Sequence, residues 1–149
     1  DFGVCYHGYQ VDETRMFAVG SMPDMFVKSY ETCREIQDKV LDKVLEGLTS
    51  KELFHYSVEL AKQKGYGDHY LGYKKHQVRF LAHGIGIEIG ELPFIAASHT
   101  YPIEEGAVIA IEPKMVFPGK GACGIENTVH FSGGKYEVLT RIDENIIIV

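Results

Sequence analysis

The sequence predicts an α+β fold: a curved antiparallel sheet with helices packed on its outer face and a site in its concave face. Three observations carry this. Short extended segments broken by glycine turns, read as hairpins, occupy residues 1–17 and the stretch from 107 onward. Between them, residues 24–64 hold two runs of apolar residues at helical spacing. A length of 149 residues with 45% hydrophobic content suits one globular domain, 1–149, with a real core.

The elements follow in order. In the first hairpin Val4, Tyr6, Tyr9 and Val11 mark the strands and His7-Gly8 the turn. Asp1 and Asp12, 11 residues apart, lie on its two strands, in register to face one point. Pro23 and Asp24 open a helix in which Val27, Tyr30, Ile36, Val40, Leu41, Val44 and Leu45 form the core face, until Gly47 ends it. Thr49 and Glu52 form a capping box for a second helix that runs to about Gln63 or Lys64, with Gly65 as its stop. Charged residues on these helices, such as Glu35, Asp38 and Lys39, read as solvated faces. Tyr66 to Lys75 is a polar, tyrosine-rich connection; His69 and His76 there are candidates for supporting a site, although surface histidines are commoner.

Val78 to Leu81 reads as a short strand entering LAHGIGIEIGELPFI, residues 81–95, a glycine-rich turn that presents His83 and ends at Leu92-Pro93. Gly84 and Gly86 there let the backbone approach whatever His83 touches. Ala107 to Ile111 is a buried strand ending at Glu112-Pro113. Pro118 to Gly121 turns the chain, Cys123 to Phe131 is the return strand, and Ser132-Gly133-Gly134 leads to a final strand. The return strand carries Glu126, 14 residues after Glu112. Two strand pairs would thus each aim two acids inward, with a histidine between them in sequence. Four converging carboxylates would repel one another and take up protons unless cations sit among them.

Three ordered blocks, DFGVCYHGYQVDETRMF, HGIGIEIGELP and IEPKMVFPGKGACGIENTVHF, resemble the signature of the methionine aminopeptidase, Xaa-Pro peptidase and creatinase family, which has the pita-bread fold. The sequence TRMF at residues 14–17 is similar to the proline-specific branch. On the matching positions the resemblance implies Asp1, Asp12, His83, Glu112 and Glu126 as ligands of two divalent metal ions. It also implies that Glu112 passes a proton from water to the leaving nitrogen, in a hydrolase that removes an N-terminal residue from a short peptide, often before proline. The carboxylate majority favours manganese, with cobalt, zinc and iron as alternatives. The family's catalytic domain begins upstream of the first block, and Asp1-Phe2-Gly3-Val4 reads as mid-strand, so the chain is expected to be the C-terminal portion of that domain. A homodimer is compatible with the resemblance, though no residue speaks for it.

Two positions depart from the pattern. Gly90 stands where the family commonly has a second histidine, and Gly124 where many Xaa-Pro peptidases carry arginine. They leave open a creatinase-like reaction on a non-peptide C–N bond, or a binding module without turnover.

Composition narrows the partners. A net charge of −6 argues against nucleic acid or an anionic membrane surface; the four positive charges of two divalent cations would bring it to −2. Cys5, Cys33 and Cys123, an odd number at no metal-binding spacing, suit free thiols in a reducing compartment. With no signal-peptide pattern and no apolar run of membrane-spanning length, the chain reads as a soluble cytoplasmic protein.

Overall fold

The computed structural model describes residues 1–149. Strands β1 (Phe2–Tyr6) and β2 (Tyr9–Glu13) form the expected hairpin, closed by His7 and Gly8, both with positive φ. A short strand β3 (Phe17–Ala18) precedes helices α1 (Asp24–Leu45) and α2 (Ser50–Gln63). Both ends of α2 behave as the sequence predicts. The Thr49 side chain accepts from the Glu52 N–H, the Glu52 carboxylate accepts from the Thr49 N–H, and Gly65 continues beyond the helix with φ 84°.

Then follow β4 (Phe80–Gly84), β5 (Glu91–Ala96), β6 (Val108–Ile111), β7 (Lys114–Phe117), β8 (Gly121–Gly124), β9 (Asn127–Ser132), β10 (Lys135–Val138) and β11 (Ile147–Ile148). Five of them make one antiparallel sheet in the order β10-β9-β6-β4-β5. Its two faces differ in chemistry. Ile109, Ile111, Val129 and Phe131 join the buried cluster that includes Tyr30, Ile36, Val40 and Leu41 of α1 and Leu53 and Phe54 of α2. Helix α1 packs on α2, β7 and β8, and α2 packs on β5. On the opposite face, cross-strand register sets His83 beside Ala110 and Ala110 beside Thr128. The small Ala110 side chain keeps the floor between the two polar residues low. The β1–β2 hairpin lies over this face, with β2 against β6 and β9. No helix is long and apolar enough to cross a membrane.

The strand boundaries correct several expectations. His83 lies on β4 and not in a turn. Gly84 serves a backbone contact with β5, because a Cβ there would come within 2.4 Å of the Leu92 carbonyl oxygen. The chain does not stop at Leu92-Pro93; β5 runs through them, which proline permits because β5 is an edge strand. The expected return strand from Cys123 to Phe131 is two strands. It leaves β7 at Gly124 and joins the main sheet at Asn127, because Pro113 and Glu112 have already broken its partner into β6 and β7. Leu45, expected in the core, is 44% exposed at the end of α1. The parallel pair β3–β11 carries too few residues to show a period in the sequence.

Candidate metal centre

His83 is held by its neighbours. Its Nδ1 donates to the Gly84 carbonyl at 3.0 Å, which leaves Nε2 as the free acceptor. That nitrogen lies 4.0 Å from Glu112 Oε1 and 3.9 Å from Glu126 Oε1. Ligand atoms of Asp12, His83 and Glu126 all fall within 4.8 Å of one another. Glu112 emerges at the end of β6 and Glu126 just before β9, on adjacent strands. Asp12 reaches the group from above, on β2.

Polar contacts dock the hairpin. Thr128 Oγ1 accepts from the Asp12 N–H at 3.2 Å and donates to the Asp12 carbonyl at 2.8 Å. Thr14 and Glu126 exchange backbone hydrogen bonds at 3.3 Å, and Thr14 Oγ1 donates to Glu126 Oε2 at 2.8 Å. Beneath them the buried Arg15 guanidinium donates to the Thr14, Glu126 and Ile142 carbonyls and to Asn127 Oδ1, and pairs with Glu13 at 2.7 Å. One cation therefore ties together the backbones that carry Asp12 and Glu126.

The electrostatics of the group ask for positive charge. Burial pushes the Glu126 carboxyl up to about 7; the neighbouring Asp12 and Glu112 charges add to that rise, while the Thr14 hydroxyl and Lys114 oppose it. Lys114 forms an ion pair with Glu112 Oε2 and is the one Lys or Arg in contact with these carboxylates. Two carboxylates and an imidazole within ion-binding distance, with the Glu112 carboxylate 4.0 Å from that imidazole and the Glu126 carboxyl destabilised as an anion, are a donor set that fits hard or borderline divalent cations. Asp1 stands apart from the tight group. It lines, with Thr14, Glu112 and Lys114, a cavity of about 260 Å³ beside it. The hairpin register explains its place: Asp12 pairs with Gly3, not Asp1, so Asp1 is its diagonal neighbour on the same hairpin face.

The structure thus brings Asp12, His83, Glu112 and Glu126 together and sets Asp1 at the rim. His69 and His76 do not join them; His69 bonds the Val116 carbonyl and stacks near Phe117, and His76 is exposed. Thr14, Arg15, Thr128 and Lys114 are contributors that sequence reasoning missed. Arg15 and Thr14 stand directly after Asp12-Glu13, and that adjacency to a candidate ligand was the available signal. Of the two departures, Gly90 has no atom near a side chain it might bear, whereas a Cβ at Gly124 would lie 2.8 Å from both Lys114 Cβ and the Pro113 carbonyl.

A carboxylate-rich centre in the face of an antiparallel sheet, backed by helices, defines the metallopeptidase class with the pita-bread fold. The chain belongs to metallopeptidase family M24, whose model matches residues 1–132. An Xaa-Pro dipeptidase of Pyrococcus furiosus is 33% identical to it over 147 residues, covering 99% of this chain and 40% of that protein. An X-Pro aminopeptidase structure from Thermotoga maritima MSB8 superposes with a TM-score of 0.89 at 31% identity, covering all of this chain and 40% of that one. A dipeptidase structure from Pyrococcus horikoshii OT3 gives 0.88 at 28% identity, with the same coverages. The chain spans about 40% of the length of these relatives.

Proposed function

We propose that the chain carries the catalytic centre of a peptidase that holds two divalent cations, manganese by preference, and cleaves short peptides after the N-terminal residue, before proline. The observation that carries this reading is the convergence of Asp12, His83, Glu112 and Glu126 from three separate stretches, with the Glu126 carboxyl raised to about 7. Xaa-Pro specificity among the relatives supports the substrate.

When bound, the cations supply Lewis acidity toward water and the scissile carbonyl. Asp12, His83, Glu112 and Glu126 would hold them, with Asp1 completing the set from the hairpin. Glu112 presents Oε1 to the group while Lys114 engages Oε2. One oxygen is thus placed to take a proton from attacking water and return it to the leaving nitrogen. The rim where Asp1 and Lys114 meet would receive the peptide.

Hydrolysis of Xaa-Pro dipeptides tests this. Activity is expected to vanish with a chelator and return with manganese, and Glu112→Gln is expected to lower kcat by at least about 10²-fold. Full activity in chelator, or in Glu112→Gln, would refute the mechanism.

A further inference from the structure

Seven of the fifteen Lys and Arg side chains are ion-paired, which leaves eight without an acidic partner. Three of these eight, Lys62, Lys74 and Arg79, line one cavity of about 370 Å³ between α2 and the loop that follows it. No aspartate or glutamate lines that cavity, in a chain whose net charge is −6. The chain as a whole carries 21 acids against 15 bases, so unopposed cations gathered around a concavity set up a local attraction for anions.

The rest of the wall is built for a small molecule. Phe54 and Val58, one turn apart on α2, supply an apolar side. Tyr70 belongs to the wall as well, with its hydroxyl buried. Its neighbour there is Ser57, whose hydroxyl donates to the Phe54 carbonyl at 2.7 Å and keeps its lone pairs for the tyrosine. The loop is fixed in place. The Gln77 side-chain amide donates to the Gly67 and Tyr70 carbonyls at 2.7 and 2.8 Å, and Leu71 and Lys74 hold left-handed backbone at φ 56° and 50°. Such strained non-glycine residues cluster at ligand sites, where the surroundings over-determine them. The volume falls within the ordinary range for small-molecule sites. The cavity shares no residue with the one beside the metal centre.

We propose that this cavity binds a small organic anion, an oxyanion of two or more charges seated among Lys62, Lys74 and Arg79 with its apolar body against Phe54 and Val58. Phosphate and carboxylate share that chemistry, and the probes separate them. Phenyl phosphate and phthalate are each titrated calorimetrically into the chain after dialysis has removed metal, so that the carboxylates of the centre repel both. One saturable site is expected for at least one probe, the tighter of the two naming the oxyanion. Binding is expected to weaken by about tenfold or more in Lys62→Gln/Arg79→Gln, to persist in Arg79→Lys, and to be unchanged in Glu126→Gln. Both replaced side chains are exposed, so an unaltered melting temperature of the ligand-free double variant verifies its fold. Absence of saturable binding by either probe, or equal binding by the double variant, would overturn the proposal.

Discussion

His83, Glu112 and Glu126 sit on or beside β4, β6 and β9, three inner strands bonded to neighbours on both sides, whereas Asp12 and Asp1 ride on a hairpin whose first strand is exposed at all five residues. The hairpin reaches the sheet through a handful of polar contacts: the Gln10 N–H to the Gly86 carbonyl at 2.7 Å, the Asp12–Thr128 and Thr14–Glu126 pairs, and the Arg15 guanidinium. Local stability follows buried contacts, so the hairpin is the half that opens first. A centre split this way has its acids presented from two bodies, and whatever holds the bodies together sets the spacing of the candidate ligands.

Arg15→Met is the most damaging way to break that arrangement. It leaves the Glu13 charge buried without its partner and the Ile142 carbonyl without its donor, and should cost about 3–5 kcal/mol in chemical denaturation. A loss under about 1 kcal/mol would mean that the hairpin is held by something else.

The pH response of the metal-free chain tests the other half. Glu126 has a folded pKa of about 7 against an ordinary carboxylate value, so folding favours its protonated form. The associated stability is complete below the unfolded pKa and disappears as pH rises through about 7. That amounts to roughly 3 kcal/mol lost between about pH 4.5 and 7.5, read as a falling denaturation midpoint. In Glu126→Gln the fall should be absent; its persistence would assign it to another group.

Cations that bridge the two bodies should slow amide exchange in residues 2–13 by about tenfold or more at saturating manganese, and change β6 far less. Equal slowing of both regions would erase the distinction. The smallest effect belongs to Thr128→Val, which keeps the shape but removes both bonds to the Asp12 backbone, for about 1 kcal/mol of stability and a metal affinity lower by roughly fivefold. Unchanged affinity would show that Thr128 does not position Asp12.

The sequence and the structure agree where local signals are strong. The His7-Gly8 and Gly133-Gly134 turns, the Thr49–Glu52 capping box and the stop at Gly65 are each written in a few adjacent residues. The family blocks placed four of the five acid and histidine positions in one group. What local reading could not supply was which strand pairs with which. Whether Cys123 to Phe131 is one strand or two depends on Pro113 in the partner, and the offset of Asp1 from Asp12 depends on ladder register. Arg15 escaped for the same reason: its partners at Asn127 and Ile142 are more than a hundred residues away, and only the fold makes it a clamp. The basic cavity draws Lys62 from a helix and Lys74 and Arg79 from a loop, so it had no linear motif.

Metal stoichiometry tests the split centre itself. The dialysed chain is titrated with manganese, and bound metal is counted per chain beside Asp12→Asn. Two equivalents in the parent chain, falling toward one in the variant as the hairpin loses its ligand while His83, Glu112 and Glu126 remain, is the predicted result. No bound metal in the parent chain, or a stoichiometry and affinity untouched by Asp12→Asn, would contradict it.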